Sequence, residues 1–263
     1  MVDLAAIVTP LFVPANRPER FAKAAASGAD AVILDLEDAV PAEAKDAARA
    51  MLTTDFTELP VLLRVNAIGT AWHADDVAAA MRLRPAAIIL PKAEHPAQLA
   101  ALAAACNLPL IALIESARGM AKARDIAGAS GVMRLAFGSI DYCADLACDH
   151  LRDVLLPARS ELVLASRLAD IAAPIDGVTL HLEDATVSHD DAAHARTLGM
   201  TGKLCIHPRQ IAEVQRAFAP SGEQIDWALR VLATGDGAVS IDGTMVDEPV
   251  RIRARTILAR SRN

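Results

Sequence analysis

The chain has 263 residues, 53% hydrophobic, 22% charged and only 3% aromatic, with a net charge of −7. This balance excludes general attraction to nucleic acid or an anionic membrane, and so few aromatics leave no stacking platform for single strands. The length suits one α/β barrel, a fold that commonly takes about 250 residues.

No apolar run reaches the roughly 18 residues that a membrane span needs. The opening "MVDLAAIVTPLFVPANR" is apolar but carries Asp3 and lacks a basic start. It reads as a first strand and not a signal peptide, so the cytoplasm is the expected compartment. Cys106, Cys143, Cys148 and Cys205 form no CxxC pair and read as reduced packing thiols.

Strands are expected at residues 7–13, 31–36, 61–65, 87–90, 110–114, 133–137, 177–180 and 203–206. Helical patterns lie between them at 17–26, 43–52, 74–82, 97–105, 151–169 and 190–198. Alternation of this kind implies βαβ units and a parallel sheet, and eight strands imply closure into a (β/α)8 TIM barrel. No Pro/Gly/Ser-rich linker and no short repeat divides the chain. A helix at 224–234, a hairpin-like "GDGAVSIDGTMVDEP" and a helix from 250 exceed what a barrel requires. The expected organisation is a catalytic barrel at 1–220 with an extension at 221–263 that belongs to the same structural unit.

The strand ends carry the polar residues. The second ends on Asp35, Glu37 and Asp38, the third on Arg64 and Asn66, and the fourth on Lys92. The fifth ends on Glu115, the sixth leads to Asp141, and the eighth ends on His207. One polar tip is ordinary loop chemistry, whereas six, all C-terminal, mark the active-site face of a parallel barrel.

Each candidate has a plainer alternative. Glu115 and Asp141, at neighbouring tips, suit Mg²⁺ or Mn²⁺ completed by water and substrate oxygens. Alternatively they form an acid/base pair of the glycosidase kind. The bland readings are a loop acid or a Ser116 cap at the first position and a helix cap at the second. Arg64 on an apolar strand needs an anion, either a substrate carboxylate or an internal partner such as Glu37 or Asp38. Lys92 reads as a partner of the same acids, and His207 as a wall residue. Arg17, Arg20 and Lys23 in "NRPERFAKA" suit a phosphate at a helix start, or a solvated basic face. The histidines offer no metal constellation, and Ser139 lacks a nucleophile elbow.

The blocks "LFVPANRPERFAKA", "AVILDLEDAVP", "LLRVNAIGT", "IILPKAE", "ALIESARGM", "LAFGSIDY", "PIDGV", "GKLCIHPRQI" and "GTMVDEP" occur in order over nearly the whole chain. In them the chain resembles the citrate lyase beta-subunit-like proteins, with the malyl-CoA and citramalyl-CoA lyases, of the HpcH/HpaI aldolase/citrate lyase superfamily. The resemblance implies a (β/α)8 barrel whose C-terminal extension packs on a neighbouring subunit in a homotrimer or hexamer. It also implies Mg²⁺-dependent Claisen-type cleavage of an acyl-CoA thioester, giving acetyl-CoA or an analogue and a 2-keto acid. By resemblance Glu115 and Asp141 hold the metal, and Glu115 and Arg64 meet the substrate. Arg17 and Arg20 approach CoA phosphates, and Asp247 is an acid donated across the subunit interface. The alternative for Asp247 is a cap on the last helix.

Two departures stand out. Ile140 replaces an acid that many relatives carry, and the chain is compact for a CoA lyase. Asp38 stands where the class II aldolases that use free pyruvate and an aldehyde carry histidine, which favours the thioester branch. Joint retention of Arg64, Glu115, Asp141 and Asp247 argues against a non-autonomous subunit of a citrate lyase complex.

Overall fold

A computed structural model describes residues 2–261 apart from 236, 238, 242 and 243. Eight parallel strands follow one another in sheet order: β1 (Pro10–Pro14), β2 (Ala31–Asp35), β3 (Val61–Arg64), β4 (Ala87–Leu90), β5 (Leu110–Ile114), β6 (Val132–Phe137), β7 (Ala172–Asp176) and β8 (Gly202–Lys203). A parallel bridge from Leu11 to Cys205 and the bond from Phe12 N–H to Cys205 O (2.9 Å) return the last strand to the first. The helices between them are α1 (Phe21–Ala25), α2 (Lys45–Ala50), α3 (His73–Leu83), α4 (Pro96–Cys106), α5 (Ala117–Ala121), α6 (Ala123–Ala127), α7 (Ser139–Leu146), α8 (Arg152–Leu168) and α9 (Ala185–Thr197). The chain ends with α10 (Ile211–Phe218), α11 (Gly222–Leu232), the antiparallel pair β9 (Val239–Ile241) and β10 (Thr244–Val246), and α12 (Glu248–Arg260). Among the described residues, no helix is long and apolar enough to cross a membrane.

Strands such as "LIALI" are buried at every position because helices cover one face and the barrel interior the other. Ile33, Leu62, Ile89, Ile111, Leu113 and Ile175 fill that interior, and Leu4 and Ile7 join them from the N-terminal segment.

Three strands differ from expectation, the eighth being Gly202–Lys203 and not 203–206. The first begins at Pro10 and not at 7, because side chains occupy the preceding backbone. Asp30 accepts from Val8 N–H (2.8 Å) and Thr9 N–H (2.8 Å), and Arg134 donates to Ile7 O (2.7 Å). The seventh strand is Ala172–Asp176 and not 177–180. Pro174 cannot donate to a ladder, and the β6–β7 register shifts across it. The polar tip of the seventh strand is therefore Asp176.

The N-terminal end of the barrel is closed by Arg134, a wholly buried guanidinium whose hydrogen-bond partners among the described residues are neutral. It donates to Ala173 O, Leu4 O and Ile7 O at 2.7 Å each and to Thr201 Oγ1 at 2.8 Å. Burial pushes its pKa down to about 10. Gly202 leaves the necessary room, since a Cβ there would stand 2.9 Å from Ile7 O and 3.2 Å from Arg134 Nη2.

The chain divides into two compact units, Met1–Gln215 and Arg216–Asn263. The second has its own small core of Ala228, Val231, Val246 and Ala254, with Trp227, Leu232, Val250, Ile257 and Leu258 against it. Val250, Ile257 and Leu258, three of the apolar positions of the final helix, are thus covered within their own unit. Ile252, on the same helix, is 54% exposed.

Arg134→Met would orphan several buried carbonyls at once, at about 1–3 kcal/mol each. Thermal unfolding is expected to fall by about 10 °C, on the scale of 2–4 °C per kcal/mol for a chain of this size.

Candidate active site

Four of the eight strands, β2, β3, β5 and β6, bring polar side chains to a cavity of about 320 Å³ at the C-terminal end of the barrel, and Lys92 after β4 joins them through Glu37. Its walls include Asp35, Asp38, Arg64, Glu115, Ser139 and Asp141, together with Phe12, Leu113, Phe137, Val178, Leu204 and Ile206.

Arg64 organises one side. Its Nε and Nη2 donate to the two oxygens of Asp35 at 2.7 Å each, a bidentate grip between adjacent strand ends. Its Nη1 lies 3.0 Å from Glu37 Oε2, and its guanidinium stacks 4.7 Å from the Phe12 ring centroid. Asp35 also accepts from the N–H groups of Glu37 (2.9 Å) and Ala39 (3.1 Å), which fixes the loop after β2. Burial opposes the charge on Arg64, but Asp35 and Glu37 outweigh it and hold its pKa above the ordinary value. The salt-bridge alternative is thus realised, with Asp35 and Glu37 and not Asp38 as partners, and it holds the guanidinium on the cavity wall.

Lys92 links this group to β5. Its ammonium lies 3.3 Å from Glu37 Oε1, and its backbone N–H donates to Glu115 Oε1 at 2.8 Å. That second bond requires a left-handed backbone, φ +48°, which costs a non-glycine residue free energy and persists only where neighbours enforce it.

Glu115 is buried, and it does not cap the following helix. Ser116 does that, accepting from Gly119 N–H at 3.1 Å, which leaves Glu115 on the cavity. Gly138 makes space beside it, since a Cβ at 138 would fall on Glu115 Cβ and Oε2. Asp141 lies in the first turn of α7, whose capping position is Gly138, so Asp141 is free to line the cavity.

Acid exceeds base in this group. Burial, then Glu37 and Asp141, push the pKa of Glu115 up to about 8. Burial also pushes Glu37 up to about 7, opposed by Arg64 and reinforced by Asp38. Glu37 Oε2 is buried, and it meets Arg64 as an ion pair without hydrogen-bond geometry. Among the described residues, no set of three His, Cys, Asp or Glu side chains stands in metal-holding geometry. Glu115 and Asp141 therefore offer two hard oxygen donors, with the local negative charge that a divalent cation would neutralise.

The other expected residues have local partners. Arg17 and Arg20 are exposed and pair with Glu19 at 2.6 and 4.0 Å, beside a helix of only five residues. The helix-terminus argument for a phosphate there is lost, and the two charges remain. His207 caps the turn Pro208–Gln210 by accepting from Arg209 N–H at 3.1 Å, so it is a cap and not a wall residue. Asp247 caps α12, accepting from Val250 N–H at 3.4 Å.

Two polar groups escape the sequence patterns. Asp176 takes Arg159 at 2.8 Å and Lys203 at 3.2 Å, while Lys203 also donates to Gly177 O at 2.6 Å. Burial raises the Asp176 pKa, but Lys203 and Arg159 outweigh it and hold the carboxyl low. His150 Nε2 lies 2.9 Å from Ser139 Oγ. Asp176 in "PIDGV" was the available signal, hidden by placing the strand after it. His150 lies in a loop, where spacing says nothing about partners.

The raised acids set a pH dependence. Glu37 and Glu115 hold protons more tightly folded than unfolded, so their contribution favours folding at low pH and is lost as pH rises from 4.5 to about 8. In chelator, the melting temperature is expected to fall by roughly 5 °C between about pH 5 and pH 8. Glu115→Gln should flatten that slope.

The family model for HpcH/HpaI aldolase/citrate lyase matches residues 9–208. A citrate lyase subunit beta-like protein of Mycobacterium tuberculosis is 41% identical over 262 residues, covering 95% of this chain and 94% of that protein. A crystal structure of protein CitE from M. tuberculosis, in complex with magnesium, acetoacetate and coenzyme A, superposes with a TM-score of 0.90. It is 40% identical and covers 99% of this chain and 100% of its own. A citrate lyase beta subunit from the same organism, complexed with oxaloacetate and magnesium, has a TM-score of 0.76 at 39% identity, over 83% of this chain and 100% of its own. The chain belongs to the HpcH/HpaI aldolase/citrate lyase family and is an enzyme of that carbon–carbon lyase and aldolase type.

Proposed function

We propose that the protein is a Mg²⁺-dependent lyase that cleaves a 3-hydroxy-3-carboxyacyl-CoA thioester, of the malyl, citramalyl or citryl kind, into acetyl-CoA or an analogue and a 2-keto acid. The observation that carries this reading is the uncompensated acid at the mouth. Glu115, pushed up to about 8, and Asp141 share a cavity with an arginine held by two other acids. Magnesium and coenzyme A in the M. tuberculosis CitE complex support it.

In this reading Glu115 and Asp141 would hold the cation, with Mn²⁺ as a substitute, beside the substrate's hydroxyl and adjacent carboxylate. When bound, the metal supplies a lowered hydroxyl pKa and a polarised nascent ketone. As the hydroxyl proton passes to solvent, the keto C=O forms, the carbon–carbon bond breaks and its electron pair goes to the thioester fragment as an enolate. Arg64 has N–H groups beyond those given to Asp35 and Glu37, and these stabilise the enolate oxygen. Asp247 of a neighbouring copy in a homotrimer or hexamer returns a proton to the enolate carbon, while Arg17 and Arg20 attract the CoA phosphates. Nothing in the reaction calls for a membrane or a nucleic acid.

The alternative chemistry, an aldol reaction on free pyruvate and an aldehyde, lacks the histidine that Asp38 replaces. The purified chain should therefore release a 2-keto acid from acyl-CoA thioesters without added subunits, as read by mass spectrometry. Recovery of an intact hydroxy diacid would mean thioester hydrolysis and would overturn the lyase reading.

Glu115→Gln and Asp141→Asn should each weaken Mg²⁺ binding at least tenfold by calorimetry while leaving the circular dichroism spectrum unchanged. Arg64→Lys keeps the charge but loses the planar fork. It should reduce kcat/KM by about 100-fold, on the scale of one lost transition-state donor, with Mg²⁺ affinity nearly unaltered. Asp247→Asn and Glu115→Gln chains, each inactive alone, should recover activity when their subunits exchange. Mixed oligomers that stay inactive would remove Asp247 from the mechanism.

A further inference from the structure

The cavity walls divide by chemistry. Asp35, Asp38, Glu115 and Asp141 contribute acid, and Arg64 is the one cation among the lining residues. Arg64 is already committed, to both oxygens of Asp35 at 2.7 Å and to Glu37 at 3.0 Å. Lys92, close by, has its ammonium 3.3 Å from Glu37. The rest of the wall is apolar: Phe12, Leu113 and Phe137, with Val178, Leu204 and Ile206 contributed by the ends of β7 and β8.

Resting on the lyase reading above, we propose that the 2-keto acid half of the substrate is of the pyruvate type. The carbon that bears the hydroxyl then carries a methyl group, read by the apolar wall of Val178, Leu204 and Ile206, and not a second carboxymethyl arm.

The chemistry runs as follows. One substrate carboxylate is common to every candidate, and a cation held by Glu115 and Asp141 would neutralise it. A second carboxylate would enter a cavity where acids already outnumber cations. The Arg64 donors not given to Asp35 and Glu37 serve the enolate oxygen, so a second carboxylate would have to compete with that oxygen, displace Asp35 or Glu37 and leave a buried acid without a partner, or lie unpaired against hydrocarbon. A methyl group meets neither cost and fills space that hydrogen, in a glyoxylate-type fragment, leaves empty. One such group in an apolar pocket is worth about tenfold or more in discrimination.

Two measurements with Mg²⁺ present test this: kcat/KM for citramalyl-CoA, malyl-CoA and citryl-CoA, and calorimetric affinity for pyruvate, glyoxylate and freshly prepared oxaloacetate. Citramalyl-CoA should be preferred to malyl-CoA by about 10-fold and to citryl-CoA by about 100-fold. Pyruvate should bind at least tenfold more tightly than oxaloacetate. Ile206→Arg, at a position 36% exposed and so tolerant of charge, should raise citryl-CoA relative to citramalyl-CoA at least tenfold. Cleavage of citryl-CoA within threefold of citramalyl-CoA, or oxaloacetate binding as tightly as pyruvate, would overturn the proposal. If no thioester is cleaved but pyruvate keeps its tenfold advantage, the lyase reading fails and the pocket's preference stands.

Discussion

Arg64 is held by carboxylates on two sides, and the ends of four neighbouring strands take their places from that arrangement. Asp35 at the end of β2 grips Arg64 at the end of β3, Glu37 shares it, and Lys92 after β4 shares Glu37. Lys92 then passes the constraint to β5 through its backbone N–H on Glu115. The Arg64 and Glu115 links are charged or charge-assisted contacts removed from water, where such contacts are stronger and more directional than at a surface, while the Lys92 ammonium is half exposed. The site is a continuous polar chain, and replacing one member shifts the next.

The chain contains more acid than it can neutralise. Two carboxyls, Glu37 and Glu115, are pushed into the neutral range, Lys92 adopts a left-handed backbone, and Gly138 gives up a side chain so that Glu115 has room. Every one of these features costs stability. Like charge gathered at one end of the barrel, with a left-handed lysine among it, indicates a site prepared for a positive partner. The buried strands and helices on the barrel's flanks supply the stability that tolerates it.

Much of this was legible in the sequence because a parallel barrel places every strand's C-terminal residue on one face. "LDLEDAV", "LLRVN", "ILPKAE" and "LIESARG" each change from apolar to charged at the strand end, and the fold gathers those changes around one cavity. The seventh strand was misplaced because Pro174 obscures a β pattern, and with it went the Asp176–Arg159–Lys203 group. The Ser139–His150 pair was out of reach, since it joins a helix start to a loop across 11 residues with no periodicity between them. The partners of Arg64 were only half legible. Glu37 was named, but Asp35 lies directly opposite Arg64 in the β2–β3 register, which a list of strand ends does not provide.

Two buried arginines, at opposite ends of the barrel, show how surroundings assign a role. Arg134 is surrounded by carbonyls and one hydroxyl; burial pushes its pKa down, and its donors are spent on backbone that must not move. Arg64 is surrounded by carboxylates, which hold its charge firmly and place it on the wall of a cavity. Neutral dipoles around a cation make a rigid floor, since nothing there can exchange for a ligand without orphaning a carbonyl. Carboxylates around a cation make a responsive mouth, because an arriving anion competes for the guanidinium and an arriving cation competes for the acids. The same side chain therefore closes the barrel at one end and opens it to chemistry at the other.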